Sequence, residues 1–433
     1  QSAEGGIDGL RGAIGDEPVP TVSDLFSCAD GGASPCQMRD RGACKAESAD
    51  FTAVHARIAL PMFQAGTLPY EDPEDGGGMV WSGSTPEVQS TRDVCMAISV
   101  PVTAPPMEGY PVLVYAHGTG GTFNGQMSSA GIARAAALAT EPAVLVAIDL
   151  PMHGERNGDD GSAEEPPDPD ALFFNFLNPR AARDNVLQGS ADLMSVVRWA
   201  AAGGLSAEES PTGDAVPFNP ARIALMGHSQ GATHTSLMMS YTPSASGVVL
   251  SGNGGHLSSS LMTKTSPVDI AAVLPLGLLD PDDEFELAGG GYNPALAIIQ
   301  MVFERADPVN FAARIRREPT SVVPEGQHVF MTYGLGDTFS TEETLGAYAK
   351  AARFTHVEPV LVDVGLSSAS TPLSLNADVG GTPRTVGMRQ YAPTADSDGH
   401  FVATSPDQDG RADVERFLDA VLAGGDPEIG PSQ

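Results

Sequence analysis

Residues 227–231 read Gly-His-Ser-Gln-Gly and place Ser229 between two glycines, each two positions away. Four apolar residues, 223–226, run directly into this stretch, and residues that favour a helix follow it. A serine on a sharp turn between a strand and a helix presents its hydroxyl as a nucleophile, and the positive end of the helix dipole stabilises a developing oxyanion. The pattern predicts nucleophilic chemistry at Ser229, with a purely structural turn as the alternative.

A serine hydroxyl attacks poorly unless a base takes its proton and a third group orients that base. Asp337 follows the apolar run 328–334, and ligands collect at the ends of such strands. His400 lies in Asp-Gly-His-Phe, ahead of the last helical pattern. The chain order of serine, acid and histidine therefore gives Ser229, Asp337 and His400 as the expected catalytic triad.

Four other histidines compete with His400 for the role of the base. His228 lies inside the turn, where its ring is expected to point away from the neighbouring hydroxyl. His117, His153 and His234 are expected to pack against other groups or to brace loops.

Other carboxylates compete with Asp337 for the role of the acid. Asp363 is the main rival, but it is expected to lie inside a strand rather than beyond its end. Asp396 and Asp398 are close to His400 in sequence and are expected only to solvate its loop. The acidic stretch 407–413 lacks the twelve-residue calcium pattern that ends in glutamate, so we expect helix capping there and no metal site.

Residues 117–122, His-Gly-Thr-Gly-Gly-Thr, follow another apolar run. Small residues let the backbone approach a substrate carbonyl, as an oxyanion hole requires. The backbone N–H groups of Thr119 and Gln230 are the expected donors. Gly118 and Gly120 are alternatives to Thr119, and both are expected to contact the substrate.

The elements that position these residues alternate between short apolar runs and helical patterns, at about 30 residues per unit. This alternation predicts an α/β fold in which helices flank a mostly parallel central sheet. Two further strands, at 53–63 and 93–101, are expected to pair antiparallel at one edge. The apolar runs that predict parallel strands are 111–118, 143–151, 222–227, 247–252, 328–334 and 359–365, and the helical patterns are 127–140, 184–202, 230–241, 341–353 and 406–423.

Two segments, 152–183 and 253–327, are too long for simple connections. The second is expected to form a cap insertion over the serine, and the first to supply an opposite wall of the pocket. The apolar residues that support this expectation are Phe173, Phe174 and Phe176, then Ile270, Val273, Leu274, Leu276, Leu278 and Leu279, and then Ile298, Ile299, Met301, Val302 and Phe303. Ordinary packing of these residues in the core is the alternative.

The expected organisation has three parts. Residues 1–50 form an N-terminal extension that contains most of the cysteines, residues 51–425 form the catalytic domain, and residues 426–433 form a tail. The chain begins at Gln1 without a charged or apolar leader, which is expected after removal of an export signal.

The four cysteines predict two disulfides, because their number is even and no Cys-x-x-Cys pair indicates zinc. Three pairings are possible. The expected one joins Cys28 to Cys36 and Cys44 to Cys95. Disulfides form in oxidising compartments, so we expect a secreted, cell-surface or periplasmic protein.

The chain of 433 residues carries a formal net charge of −32, from 23 basic and 55 acidic residues. Such a charge repels phosphate backbones and anionic lipid surfaces, so we expect no nucleic-acid partner. No apolar run approaches the length of a membrane span. The acidic balance is interpreted as a means of solubility, in a saline or extracellular setting.

Together the motifs resemble the α/β-hydrolase family. His-Gly-Thr-Gly-Gly, Asp-Leu-Pro-Met-His-Gly-Glu-Arg, Gly-His-Ser-Gln-Gly, Gly-Leu-Gly-Asp and Asp-Gly-His-Phe follow its motif order across residues 110–425. Residues 176–193 are also similar to secreted bacterial lipases of the extracellular lipase and lysophospholipase type. The resemblance implies acyl-ester hydrolysis without a cofactor, and it makes Arg183, Asp184 and Asn185 scaffold residues near the site.

The sequence therefore predicts a secreted serine esterase or lipase that acts through an acyl-enzyme on a small, lipid-like or polymeric ester. A serine peptidase with the same triad is one alternative. A binding protein on an inactive hydrolase fold is another, although the intact triad and glycine loop disfavour it. Dehalogenase chemistry is disfavoured because it needs a carboxylate where this chain has Ser229.

Overall fold

The computed structural model describes residues 3–36, 41–46, 48–159, 167–269, 271–272 and 294–431. Its central feature is a sheet of twelve strands. In chain order they are β1 (Val22–Ser27), β2 (Phe51–Met62), β3 (Ser90–Pro101), β4 (Tyr110–Ala116), β5 (Val144–Ile148), β6 (Val216–His228), β7 (Ala245–Ser251), β8 (His328–Gly334), β9 (Thr355–Val357), β10 (Ser368–Ala369) and β11 (Val386–Tyr391), with the short strand Gly204–Leu205 beside β6.

The strands lie in the order β1-β2-β3-β5-β4-β6-β7-β8-β11-β9-β10. From β5 to β10 every neighbouring pair is parallel. The three strands at the other edge, β1 to β3, pair antiparallel, and β3 joins the parallel part through an antiparallel pairing with β5. The predictions of a mostly parallel sheet and of an antiparallel edge are confirmed. Small two-stranded hairpins lie outside this sheet, at Gln64–Gly66 with Gly76–Met79, Trp81–Ser82 with Thr85–Pro86, and Ala377–Val379 with Thr382–Arg384.

Helices cover both faces of the sheet, and each face has its own buried apolar cluster. Helices α1, α4, α5 and α8 contribute to the larger cluster, whereas α2 and α9 contribute to the smaller one. The helices are α1 (Ala3–Asp16), α2 (Ile132–Ala137), α3 (Pro169–Phe173), α4 (Pro179–Ala200), α5 (Gln230–Met238), α6 (Leu257–Thr263), α7 (Pro294–Phe303), α8 (Glu342–Ala352) and α9 (Asp409–Leu422).

One predicted strand, 359–365, is wrong. The segment has no regular structure, and Leu361 in its middle is 43% exposed. Pro359 opens it without an N–H for a sheet ladder, and the N–H groups of Leu361 and Val362 donate to the side chain of Gln390 instead. The strands that pair in this part of the sheet are β9 and β11. The sequence analysis did not predict β11. Helix α2 is also shorter than its predicted range of 127–140.

The segment assigned to an N-terminal extension contributes to the same core as the rest of the chain. Ile7, Leu10 and Ile14 of α1 are buried in the larger apolar cluster, and α1 packs against α4. Strand β1 pairs with β2 and so extends the central sheet.

The structure contains two disulfides, as predicted, but their pairing differs from the expected one. Cys28 is joined to Cys44 and Cys36 to Cys95, with Cα–Cα distances of 5.7 and 5.6 Å. The reason lies in the sheet. Cys95 is in β3 opposite β2, and the sulfur of Cys36 lies 3.3 Å from the carbonyl oxygen of Ala56 in β2, so the chain crosses this ladder at Cys36.

The described parts of the 253–327 insertion are α6, α7 and a series of short 3-10 turns before β8. Phe303 is buried, whereas Ile298 and Met301 are 58% and 67% exposed. Ile299 and Val302 are half-buried. The apolar residues at 270, 273, 274, 276, 278 and 279 lie outside the described residues. Within the described ranges, no helix has both the length and the apolar character needed to cross a membrane.

The cysteine pairing predicts a specific peptide map. Protease digestion without reductant should yield one linked pair that contains Cys28 and Cys44, and another that contains Cys36 and Cys95. Replacing Cys36 and Cys95 together with serine should lower the unfolding free energy by about 4 kcal/mol, since the bond closes a loop of 59 residues. Denaturant unfolding measures the loss, and a peptide that links Cys28 to Cys36 would contradict the pairing.

Candidate active site

Ser229 stands on a sharp turn between β6 and α5. Its backbone has φ 55° and ψ −118°, a left-handed conformation that costs about 1–3 kcal/mol outside glycine. Neighbouring elements hold the turn in place. The Ser229 N–H donates to the carbonyl of Ser251 at the end of β7 (2.8 Å), and the Gly231 N–H donates to the carbonyl of His117 after β4 (3.0 Å).

Close backbone approach explains the glycines around Ser229. A Cβ on Gly231 would collide with the carbonyl of Ala116 at the end of β4. A Cβ on Gly118 would lie 2.9 Å from the Cβ of Ser229. The glycine loop after β4 therefore reaches the serine only because both positions lack side chains.

Asp337 and His400 meet at the same edge of the sheet. Asp337 follows β8 and His400 follows β11, and His400 Nδ1 lies 2.9 Å from Asp337 Oδ2. Both side chains are buried, and Asp337 Oδ1 also accepts the N–H groups of Phe339 (2.9 Å) and Ser340 (2.7 Å). With Nδ1–H donating to the carboxylate, Nε2 of the neutral imidazole is the atom that can accept a proton.

Ser229 and His400 line one cavity of about 500 Å³. Within the described chain, the Ser229 hydroxyl donates no hydrogen bond to a side chain. Catalytic hydrogen bonds of this kind often tighten only when substrate binds. Phe339 stacks on the His400 ring at 4.6 Å and fixes its plane from one side, while the His228 ring lies 4.8 Å away.

Asp398 has a role that the sequence analysis missed. Rather than only solvating its loop, its carboxylate accepts the His400 N–H (2.8 Å) and the Thr338 hydroxyl (2.6 Å). It thereby joins the histidine loop to the acid loop. The signal was available, because Asp two residues before His400 is the spacing of a side-chain cap.

The glycine loop after β4 places Thr119 beside the serine turn. The Thr119 hydroxyl donates to the side-chain carbonyl of Gln230 (3.1 Å), and both residues line the cavity. In the described chain, neither the Thr119 N–H nor the Gln230 N–H has an acceptor. The Gly120 N–H donates to His153 Nε2 (2.9 Å), so Gly120 is not available as the alternative donor, and it does not line the cavity. Gly118 does line it.

A contact from the N-terminal segment braces this loop. Arg41 Nη2 donates to the carbonyls of Gly120 (3.2 Å) and Gly121 (3.0 Å), and Asn124 donates to the carbonyl of Ala43 (2.7 Å). Arg41 lies between the two disulfide-bonded positions Cys36 and Cys44 in the chain.

The competing histidines brace loops, as expected for three of them. His117 accepts the Leu150 N–H at Nε2 and hydrogen-bonds the Gly118 carbonyl at Nδ1. His234 hydrogen-bonds the Val186 carbonyl at Nδ1 (2.9 Å). Burial lowers the pKa of His117 to about 4 and that of His234 to about 3, and it holds the pKa values of His153 and His228 well below the usual 6.5. These four rings are neutral at pH 7.

The competing carboxylates are either exposed or bonded to other residues. Asp363 is exposed and accepts the Gly365 N–H (2.7 Å), away from the cavity. Asp396 is exposed as well. In the acidic stretch at the start of α9, Asp413 is buried and paired with Arg389, Arg416 and the Tyr391 hydroxyl.

The three predicted phenylalanines do not share one position. Phe174 lines the cavity, Phe173 is fully buried behind it with the two rings 4.6 Å apart, and Phe176 is not among the cavity residues. Asn185 of α4 donates to the Phe173 carbonyl (3.1 Å). The other apolar cavity residues are Tyr115, Val186, Leu257, Pro267, Phe303, Ala306, Pro308, Phe339, Phe401 and Pro406.

The strand order and the strained serine turn decide the fold. The parallel strands β5, β4, β6, β7, β8 and β11 lie side by side, and the serine turn leaves the central one, β6. The chain has the α/β-hydrolase fold. The prediction of this fold is confirmed.

Comparisons with known proteins give the following likenesses. No family model matches this chain, and no curated protein matches its sequence. Among solved structures, it is similar to an acetyl xylan esterase from Paenibacillus sp. R4, with 13% identity, 89% of this chain and 87% of that chain covered, and a TM-score of 0.48. It is also similar to the acetyl xylan esterase 1 from Thermoanaerobacterium sp. JW/SL YS485, with 14% identity, 91% of this chain and 89% of that chain covered, and a TM-score of 0.46. A third similar structure is the acylaminoacyl peptidase from Pyrococcus horikoshii, with 10% identity, 89% of this chain and 50% of that chain covered, and a TM-score of 0.40.

The neutral buried histidines predict how stability depends on pH. Unfolded His234 takes up a proton below about pH 6.5, whereas the folded protein resists protonation until about pH 3. The folded pKa is lowered, so the stabilisation is complete above pH 6.5 and is lost as the pH falls. Because of His234 alone, the unfolding free energy should be about 2 kcal/mol lower at pH 5 than at pH 7.

Denaturant unfolding at pH 7 and pH 5 measures this dependence. His234→Gln should reduce the loss between the two pH values by about that amount. His256→Gln, at an exposed histidine, is the matched control and should leave the loss unchanged. An equal loss in His234→Gln and the unaltered protein would contradict the assignment.

Proposed function

We propose that this protein is a serine hydrolase that cleaves carboxylic esters through an acyl-enzyme. Ser229 is the nucleophile, His400 the general base and Asp337 the residue that orients it. The observation that carries the proposal is the buried Asp337–His400 hydrogen bond at the cavity into which the strained Ser229 turn opens. The two disulfides support action in an oxidising compartment, outside the cytoplasm.

The first half of the reaction forms the acyl-enzyme. His400 Nε2 takes the hydroxyl proton as Ser229 Oγ attacks the ester carbonyl carbon, and the carbonyl oxygen becomes an oxyanion. The N–H groups of Thr119 and Gln230 are placed to bind that oxygen. Such donors each contribute about 3 kcal/mol of transition-state stabilisation. His400 then gives its proton to the departing alcohol, and the carbon–oxygen bond of the ester breaks.

The second half repeats these steps with water as the nucleophile. His400 takes a proton from water as the oxygen attacks the acyl carbon. The tetrahedral intermediate collapses, the acid leaves, and Ser229 regains its proton from His400. Asp337 orients the ring and stabilises the imidazolium that forms twice in each cycle.

Two other functions fit part of the same site. A serine peptidase would use the same triad on amides, and p-nitrophenyl butyrate tested beside butyryl p-nitroanilide separates the two. An inactive binding protein would need no oriented histidine and no free N–H groups beside the serine. The retained geometry favours an enzyme.

The proposed triad predicts strong and non-additive losses. Ser229→Ala and His400→Ala should each lower kcat on p-nitrophenyl butyrate by at least about 10⁴-fold, and combining them should lower it little further. Asp337→Asn should lower kcat by at least about 10³-fold, because the imidazole loses its orienting partner.

Asp363→Asn is the matched control, at an exposed carboxylate, and should leave kcat unchanged. Circular dichroism checks that each variant is folded. An organophosphonate should label Ser229 in the folded protein. Absence of labelling would rule out both the esterase and the peptidase, and a larger loss in Asp363→Asn than in Asp337→Asn would show that the acid is misassigned.

The apolar cavity wall predicts a dependence on acyl length. Each methylene buried against Phe174 and Phe303 contributes about 0.8 kcal/mol, so kcat/KM should rise from acetate towards medium acyl chains before the cavity fills. Phe174→Ser should flatten this rise and spare acetate. Phe176→Ser is the matched control and should keep it. A steady fall from acetate onward would show a small acyl site.

A further inference from the structure

One basic side chain reaches the cavity beside the proposed catalytic residues. The chain has three lysines, Lys45, Lys264 and Lys350. Lys45 and Lys350 are exposed and lie away from the cavity, whereas Lys264 lines it. In a chain with a net charge of −32, a lysine inside the substrate cavity needs an explanation.

The backbone around Lys264 is fixed next to the acid loop. Lys264 follows α6, and its N–H donates to the carbonyl of Ser260 (3.0 Å). The N–H groups of Thr265 and Ser266 both donate to the carbonyl of Thr338, at 3.0 and 3.1 Å. Thr338 directly follows Asp337, so the lysine is held at a set position relative to the proposed triad.

The Lys264 ammonium has no ion-pair or hydrogen-bond partner within the part of the chain that the structure describes. Two carboxylates influence it from farther away. Asp337 is already bonded to His400, and Asp170 lines the same cavity near Gly120. Burial lowers the pKa of Lys264, and these two carboxylates partly oppose that effect.

Among the described residues this partly buried cation has no close partner, which is unfavourable because it has lost water without gaining an ion pair. A neutral ester has no negative charge to pair with the ammonium, so it does not offset this cost. A carboxylate on the substrate would supply the missing partner and would gain a charge-assisted hydrogen bond. Asp170 does not fill this role, since it forms no ion pair with the lysine. Burial and the neighbouring Asp168 raise the pKa of Asp170, whereas Lys264 and Arg41 lower it.

We propose that Lys264 binds an anionic group of the substrate, so that the preferred substrates are esters that carry a carboxylate on their acyl or alcohol part. This inference rests on the proposed ester hydrolysis at Ser229. Lys264 acts as a specificity residue and takes no part in bond breaking.

Matched ester pairs test the inference, because each pair differs only in a carboxylate that replaces a methyl group. Monomethyl adipate is compared with methyl hexanoate, and monomethyl glutarate with methyl pentanoate, for charge on the acyl part. For charge on the alcohol part, 4-acetoxybutanoate is compared with butyl acetate. Acid release in a pH-stat gives kcat and KM for each ester.

The ratio of kcat/KM for the charged ester to that for its neutral match should exceed one in at least one pair. In Lys264→Met this ratio should fall at least fivefold, mainly through KM of the charged ester. Lys264→Arg should keep most of the preference. Lys350→Met removes the same charge from an exposed site and should leave the ratio unchanged.

The outcomes separate this inference from the proposed function. Hydrolysis in which every neutral ester is preferred, or in which the Lys264→Met ratio falls less than fivefold, overturns the role of Lys264 alone. If Lys264→Met does not fold, the wild-type ratios decide the question. Failure to hydrolyse any of the esters, together with no phosphonate labelling of Ser229, overturns the proposed function itself.

Discussion

The parallel pairing of β4, β6, β7, β8 and β11 is the constraint on which the site depends. Parallel neighbours end at the same edge of a sheet, so the loops that follow them must meet there. In this chain those loops carry the glycine run, Ser229, Asp337 and His400. Segments 63 or more residues apart in sequence thereby share one cavity.

Local hydrogen bonds then turn this rough proximity into defined positions. The strain of the Ser229 turn is sustained by bonds to the ends of β4 and β7. Asp398 ties the histidine loop to the acid loop, and His153 ties the glycine loop to the chain after β5. His117 and His153 stay neutral because burial lowers their pKa values, so each of these two rings can donate at one nitrogen and accept at the other.

Residues whose role is set by local pattern could be predicted from the sequence, and those set by packing could not. The strand, turn and helix around Ser229 are encoded by their local pattern, and so are the parallel strands β4 to β8, whereas the parallel strand β11 was not predicted. The segment 359–365 has the composition of a strand, but its proline and the amide of Gln390 direct its backbone elsewhere. The cysteine pairing depended on where the chain crosses β2, which spacing alone does not contain.

The same distinction applies to the cavity wall. Three phenylalanines within four residues look equivalent in sequence, yet of the three only Phe174 lines the cavity, whereas Phe173 is buried in the core. Lys264 was also not singled out, since a lone lysine in a long connection has no distinguishing pattern. Its position became informative only when the bonds of the next two residues to Thr338 were known.

The contact of Arg41 with the carbonyls of Gly120 and Gly121 has a consequence for how proteins of this kind are recognised. Every motif of the proposed reaction lies after residue 110, and a fragment that starts there would contain all of them. That fragment would nevertheless lack the guanidinium that supports the glycine loop, along with three strands of the sheet edge. The structural unit that supports the glycine loop therefore begins at or before Arg41, well ahead of His117 at the start of that loop.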